Sequence, residues 1–303
     1  MIRLLIVIPV LAALAGCESL PRQVLPYVMD DPQTGTLDLH LYDLESGISR
    51  ALIQTRGCDE YDPCVDPLGS KVVYITKKPN EDPDDVLYTL TVYELETGID
   101  REYASSTNRM SSPVWSNNGE KIAYVVERDG KFQINVRDLA SNSPARAIGF
   151  GSAPSWRQDG QAIFYSSKDT LDAPVGELMV HDLRNGLNQS LALRGNGFSN
   201  LARGTSIVYT TLPYTRRNEA IWMIDATSRQ KRLSSPGKTY RDTNPVHING
   251  TKFVAFTRTE VATGASSLFV VERYATDPVE TLLFEAKANA FTSGATLITL
   301  PGK

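Results

Sequence analysis

Three histidines and three cysteines are the scarce reactive side chains of this 303-residue chain. His40, His181 and His247 are far apart in sequence and fit no HExxH spacing, and no CxxC pair occurs. His40 and His181 fall in short apolar runs and read as packing or surface residues. His247 stands where its neighbours carry tryptophan, which reads as core. A Gly-x-Ser-x-Gly elbow, the strained turn that exposes a hydrolase serine, is absent. The acid pair Asp30-Asp31 and the run Glu81-Asp82-Pro83-Asp84-Asp85 read as solvated loops, with a weak cation site as the alternative. No catalytic residue, metal or cofactor is therefore expected. Cys58 and Cys64 flank Asp59–Pro63. In an oxidising compartment they are expected to close that loop as a disulfide; the alternative is two reduced thiols in a strand and the loop before it.

The compartment follows from the N-terminus. Arg3 precedes an apolar run from Leu4 to Leu14, followed by Ala15, Gly16 and Cys17. About 11 apolar residues are too few for a membrane-spanning helix, which needs about 20. They have the proportions of a signal-peptide core. The rest has the composition of a globular chain, 41% hydrophobic and 22% charged. A net charge of −4 with no basic run excludes nucleic acid as the expected partner, because phosphate contacts need clustered Lys and Arg.

Internal repeats set the architecture. Pro113-Val114-Trp115-Ser116-Asn117-Asn118-Gly119 through Tyr124 aligns without gaps on Pro154 through Tyr165. Further copies start at Pro63 and Pro245, and a weak one runs from Phe198 to Tyr209. A second motif is an apolar strand ending in an acid. It recurs at Asp43, Glu94, Asp138, Asp182, Asp225 and Glu272, at intervals of 51, 44, 44, 43 and 47 residues. That is the period of a four-stranded propeller blade. Each blade is expected to begin strand a at the Pro and to turn at Asn-Gly or Asp-Gly into strand b. Strand c ends at the acid, and a polar turn leads to strand d. One blade cannot bury both faces, so blades pack in a ring that protects their edges. Trp115 and Trp156 are expected between blades.

The predicted fold is all-β: a six-bladed β-propeller of four-stranded antiparallel blades, its ring closed by a C-terminal strand from 289–300. Leu25–Met29 also reads as a strand b of the first blade, and a partial seventh blade stays open. The predicted organisation is a signal peptide over 1–16, a short lipid-anchored tether over 17–24, and one propeller over 25–303.

Two resemblances refine this reading. Leu14-Ala15-Gly16-Cys17 resembles the bacterial lipobox. That likeness implies cleavage before Cys17 and acylation of its sulfur and new amine, and two or more acyl chains hold a protein stably at a membrane. Glu18 is not the aspartate associated with inner-membrane retention, which favours the outer membrane, facing the periplasm. Pro-x-Trp-Ser-x-x-Gly-x-x-Ile-Ala-Tyr, followed by Arg128-Asp129-Gly130 and Ile134-x-Val136-x-Asp138, resembles the propeller repeat of the TolB family, periplasmic members of the Tol–Pal envelope system. Related blades occur in prolyl-oligopeptidase-type peptidases. The likeness covers about residues 55–300 and weakens in the fifth blade, where Asn200 replaces Trp. It departs from TolB in that Cys17 stands close before the first strand, which leaves no room there for the α/β domain of that family.

Function is then expected in loops. The b–c and d–a loops share one rim of a propeller, and variable loops on a rigid scaffold carry recognition. Tyr61, Arg109, Met110, Phe150, Phe198, Tyr240 and Arg241 fall in or near the d–a loops, and aromatic residues and Arg are enriched in binding hot spots. The alternative is that these aromatics plug the ring's top layer. The expected role is a lipid-anchored scaffold binding an envelope protein, such as a peptidoglycan-associated lipoprotein or an outer-membrane protein. Its rivals are a glycan-binding or polysaccharide-processing funnel and a structural spacer.

Overall fold

A computed structural model describes residues 22–31, 33–43, 45–79, 85–141, 143–170, 176–200, 206–211, 219–225, 227–248, 251–285 and 296–298, with backbone alone for 22–23, 196–200, 211, 284–285 and 296–298. Cys17, the expected signal peptide over 1–16, residues 81–84 and most of 289–300 lie outside the described residues. The described chain forms strands and turns and no helix.

The strands form a ring of six blades. Blade 1 contains β1 (Arg22–Asp30), β2 (Leu37–Asp43) and β3 (Ser49–Ile53). Blade 2 is β4 (Asp59–Val65), β5 (Lys71–Pro79), β6 (Val86–Glu94) and β7 (Asp100–Ser106). Blade 3 is β8 (Met110–Trp115), β9 (Lys121–Arg128), β10 (Lys131–Asp138) and β11 (Arg146–Phe150). Blade 4 is β12 (Ser152–Trp156), β13 (Ala162–Ser166), β14 (Gly176–Asp182) and the first part of β15 (Asn188–Asn200). The same long strand continues as the first strand of blade 5, before β16 (Ile207–Thr211), β17 (Ala220–Ile224) and β18 (Gln230–Arg232). Blade 6 is β19 (Tyr240–His247), β20 (Phe253–Glu260), β21 (Ser266–Glu272) and β22 (Glu280–Glu285).

The last strand, β23 (Thr296–Ile298), returns to blade 1 and pairs antiparallel with β1, Gln23 opposite Leu297. The ring is therefore closed by the C-terminal strand, and β1 is strand b of its blade, as the Leu25–Met29 pattern suggests. It starts at Arg22, inside the segment the sequence reading leaves to the tether. First strands of successive blades touch (β4 with β8, β8 with β12, β15 with β19), so they surround the central axis.

Packing between blades holds the ring. Val24 and Leu41 of blade 1 cluster with Val65 and Val72 of blade 2; Leu25 and Tyr27, on the other side, cluster with Val246 and Leu268 of blade 6. Similar clusters join the remaining neighbours around the circle. Each fully buried aliphatic or aromatic side chain contributes about 1.5–3 kcal/mol. Trp115 and Trp156 lie between blades as expected. Their indole N–H groups reach across to the Cys64 and Val114 carbonyls of the preceding blade, at 3.0 and 3.1 Å. His247, in the corresponding place of blade 6, is buried against Arg273.

Two expectations are corrected here. Strand a does not begin at the proline. It begins earlier, at Asp59, Met110, Ser152 and Tyr240, and the proline sits in a bulge where the register to strand b shifts. A bulge leaves a residue unpaired, so the missing proline N–H costs nothing there. The disulfide is the second. Residues 59–65 are strand, so Cys58 and Cys64 lie about 15–20 Å apart along it. A disulfide needs Cα atoms about 4.4–6.8 Å apart. Both thiols are free and buried. Burial pushes the Cys64 thiol up to about 12 and raises that of Cys58.

Candidate functional site

The d–a and b–c connections meet on one face of the ring. There the structure separates the predicted binding residues. Phe150 ends β11 and is 51% exposed, with the Lys131 ammonium 5.8 Å from its ring centre. Tyr240 opens β19 and is 39% exposed, with the Arg258 guanidinium 5.9 Å from its ring centre. Arg109 and Arg241 are exposed beside β8 and on β19. These four stay on the rim. Gly151 alone separates Phe150 from blade 4; a Cβ there would lie 2.4 Å from the Ser166 carbonyl, so the close approach that lifts Phe150 onto the rim requires glycine.

Tyr61 and Met110 do not belong to the rim surface. Met110 is 1% exposed within the apolar cluster between blades 2 and 3, and the Tyr61 hydroxyl donates to its carbonyl at 2.7 Å. Burial pushes the Tyr61 phenol far above its ordinary range. Both side chains point between blades because of strand alternation. They pack in the seam between blades 2 and 3. The backbone of Phe198 lies in β15; its side chain is outside the described residues.

Sequence reasoning missed a strained position in four of the first strands. Asp62, Ser112, Ala153 and Asn244 each precede the proline of a first strand, and each has φ of 51–52°. Non-glycine residues there cost about 1–2 kcal/mol, so neighbouring structure must hold them. Asp62 does this for its neighbour: its carboxylate accepts the Ser112 N–H at 2.7 Å, tying blade 2 to blade 3. Burial raises its pKa, against that bond and the Arg109 charge. The x-Pro pair, repeated four times, is the signal that marks these positions.

Two buried polar groups lie below the rim. In blade 6, Arg258 grips both carboxylate oxygens of Asp242 at 2.7 and 2.8 Å and reaches Glu280 at 3.0 Å. Between blades 1 and 2, Glu60 is fully buried. One of its oxygens accepts the Thr55 N–H at 3.2 Å, and the other has no hydrogen-bond partner among the described residues. Burial, helped by the nearby Asp38 charge, pushes the Glu60 carboxyl up to about 7. Folded protein thus holds a proton that the unfolded chain releases from about pH 4.5 upward. Glu60 therefore costs stability as pH rises through 7. Glu60→Gln should raise stability by about 2–3 kcal/mol at pH 8 and by nothing measurable at pH 4. Urea unfolding at the two pH values checks this; an equal effect at both would contradict it.

The three histidines lie in blades 1, 4 and 6 and do not converge. His181 Nδ1 is 2.9 Å from the Asn188 amide oxygen. Burial, then the Arg273 charge, pushes His247 down to about 3, so it is neutral. Among the described residues, no group of three or more His, Cys, Asp or Glu side chains is placed to hold a metal ion.

No protein-family model matches the sequence. Among curated proteins, an uncharacterized peptidase, YuxL, from Bacillus subtilis is 26% identical over 106 residues, which is 34% of this chain and 16% of that protein. Among solved structures, TolB from Acinetobacter baumannii superposes with a TM-score of 0.71 at 17% identity, covering 89% of this chain and 65% of that one. A putative TolB from Agrobacterium tumefaciens gives 0.66 at 13% identity, covering 91% and 93%. An oligogalacturonate lyase from Vibrio parahaemolyticus gives 0.53 at 13%, covering 77% and 71%. The chain spans a small part of the curated relative and about two thirds of the Acinetobacter protein. The fold is that of the TolB-like propeller.

Proposed function

We propose that this chain is an envelope lipoprotein, held by lipid on Cys17 at the outer membrane and facing the periplasm, whose propeller rim binds another protein. One observation carries the reading. Two aromatic side chains, Phe150 and Tyr240, stand exposed on the d–a face of a rigid ring, each beside a cation, with Arg109 and Arg241 on the same face. Exposed aromatics and arginines on a fixed scaffold are the chemistry of a protein-binding hot spot, and arginine charge steers an acidic partner onto it. The likeness to TolB structures supports an envelope protein as that partner, of the peptidoglycan-associated or outer-membrane kind. The glycan-processing alternative has less support. His247, its candidate group, is buried at the far end of β19 from the rim.

The test is crosslinking in intact cells followed by purification from membranes. One stoichiometric protein partner is the expected product. Reversing both charges, Arg109→Glu with Arg241→Glu, should cut capture about tenfold or more, the loss of about 1.4 kcal/mol, at a temperature where circular dichroism shows both proteins folded. No partner from lipidated protein, or full capture by the double variant, overturns the reading. Binding of envelope polysaccharide that is lost in Tyr240→Ala would favour the glycan alternative.

A further inference from the structure

The face opposite the binding rim carries a feature that solvent does not explain. In blades 1, 2 and 4 the turn between strands c and d is a hydrogen-bonded loop of one design. In blade 1 the Gly47 N–H donates to the Asp43 carbonyl, and the Asp43 N–H donates to the Ile48 carbonyl at 2.9 Å. Glu94, Gly98 and Ile99 repeat this in blade 2, and Asp182, Gly186 and Leu187 in blade 4. The glycine takes positive φ in each, 69–73°, and the next side chain is thrust outward. That side chain is aliphatic each time. Leu68, on the a–b turn of blade 2, points out on the same face. The four are 58–81% exposed. Two of them are followed, two positions on, by an exposed arginine: Ile48 by Arg50 and Ile99 by Arg101. Aliphatic tips with a long cationic side chain nearby, among acids, can enter the boundary between lipid headgroups and acyl chains.

The strand order shows where a tether would leave the ring. β1 runs antiparallel to β2 with Val24 opposite Asp43, so its start lies beside the turn that carries Ile48. Val24 and Leu41 pack on Val65 and Val72, which bracket the turn of Leu68. The chain therefore enters the ring on the face that bears the aliphatic tips. Only Glu18 to Pro21 separate Cys17 from Arg22. Five residue steps span at most about 18 Å when extended. β1 is the second strand from the axis, so the tether leaves from beneath the body of the ring, not from its outer edge.

We infer that the a–b and c–d face of the propeller, through Ile48, Leu68, Ile99 and Leu187 with Arg50 and Arg101, docks on the phospholipid surface that holds Cys17, so that the d–a rim is presented away from the membrane. This rests on the lipid-anchor reading. The occupant is the bilayer itself, because the short tether keeps this face within reach of the headgroups.

The test uses the full lipidated chain, purified from membranes and placed in vesicles of phosphatidylethanolamine and phosphatidylglycerol. A nitroxide is attached at Leu68→Cys, at Ile99→Cys or at Phe150→Cys. Cys58 and Cys64 are buried with raised pKa values and stay unlabelled at neutral pH. Collision with oxygen, which enters lipid, is compared with collision with a water-soluble nickel chelate. The oxygen-to-nickel ratio should be several-fold higher at positions 68 and 99 than at 150, and the difference should vanish in detergent. Mass spectrometry reads the acyl chains on Cys17 in the same sample. Acyl chains present with equal ratios at all three positions overturn the docking and leave the anchor standing. An unmodified Cys17 overturns the anchor and the docking with it.

Discussion

Arg258→Ala should lower the unfolding free energy by about 3–5 kcal/mol, because it leaves a buried carboxylate without its counter-charge. Asp242 has no exposed side-chain surface, and Arg258 is 12% exposed. The guanidinium meets both oxygens of Asp242 on β19, one oxygen of Glu280 on β22, and the ring of Phe269 at 4.7 Å. Burial raises the Asp242 carboxyl, and the bonds from Arg258 oppose that rise. Removing them exposes the full cost of burying the group. Arg258→Lys should recover only part of the loss, since an ammonium cannot make the paired contacts of a planar guanidinium. Urea denaturation of the three proteins measures this. A loss below about 1 kcal/mol in the alanine variant, the range of exposed ion pairs, would mean that the network is open to water.

Trp115→Ala should cost about as much, roughly 3–5 kcal/mol for a large buried aromatic. The indole fills the space between blades 2 and 3 among Ile75, Leu90 and Ile122. Its N–H is the partner of the Cys64 carbonyl. Trp115→Phe separates the two roles. It keeps most of the packing and gives up the hydrogen bond, worth about 0.5–1.5 kcal/mol. Because a ring has no independent blade, the loss should appear as a lower midpoint of one unfolding transition. A separate early transition would show that blades 2 and 3 unfold apart from the rest.

The architecture was readable because it is written in local chemistry. The acids that end strand c are turn-formers: Asp43 accepts the N–H groups of Glu45 and Ser46, and Asp182 that of Arg184. Such contacts span two or three residues, so they recur in the sequence with the period of the blade. The tryptophans were readable for the same reason. Features that depend on register were not. The bulge before each proline moves the start of strand a by two to five residues, and with it the side on which Tyr61 and Met110 emerge. The Asp59–Pro63 segment looks like a loop because of its acids and proline, yet it forms strand by pairing with Ile75–Lys77, which pulls the cysteines apart. The Arg258 network joins β19, β20 and β22, whose alignment no local pattern encodes. On the rim, exposure separated Phe150 and Tyr240 from the buried pair.

The central claim is that the d–a face meets a protein while the opposite face meets lipid. Photo-crosslinking in intact cells tests it most directly, with a photoreactive residue placed at Phe150, Tyr240 or Leu68. One protein adduct of a single mass is expected from position 150 or 240, and lipid but no protein from position 68. A protein captured from position 68, with none from either rim position, would contradict it.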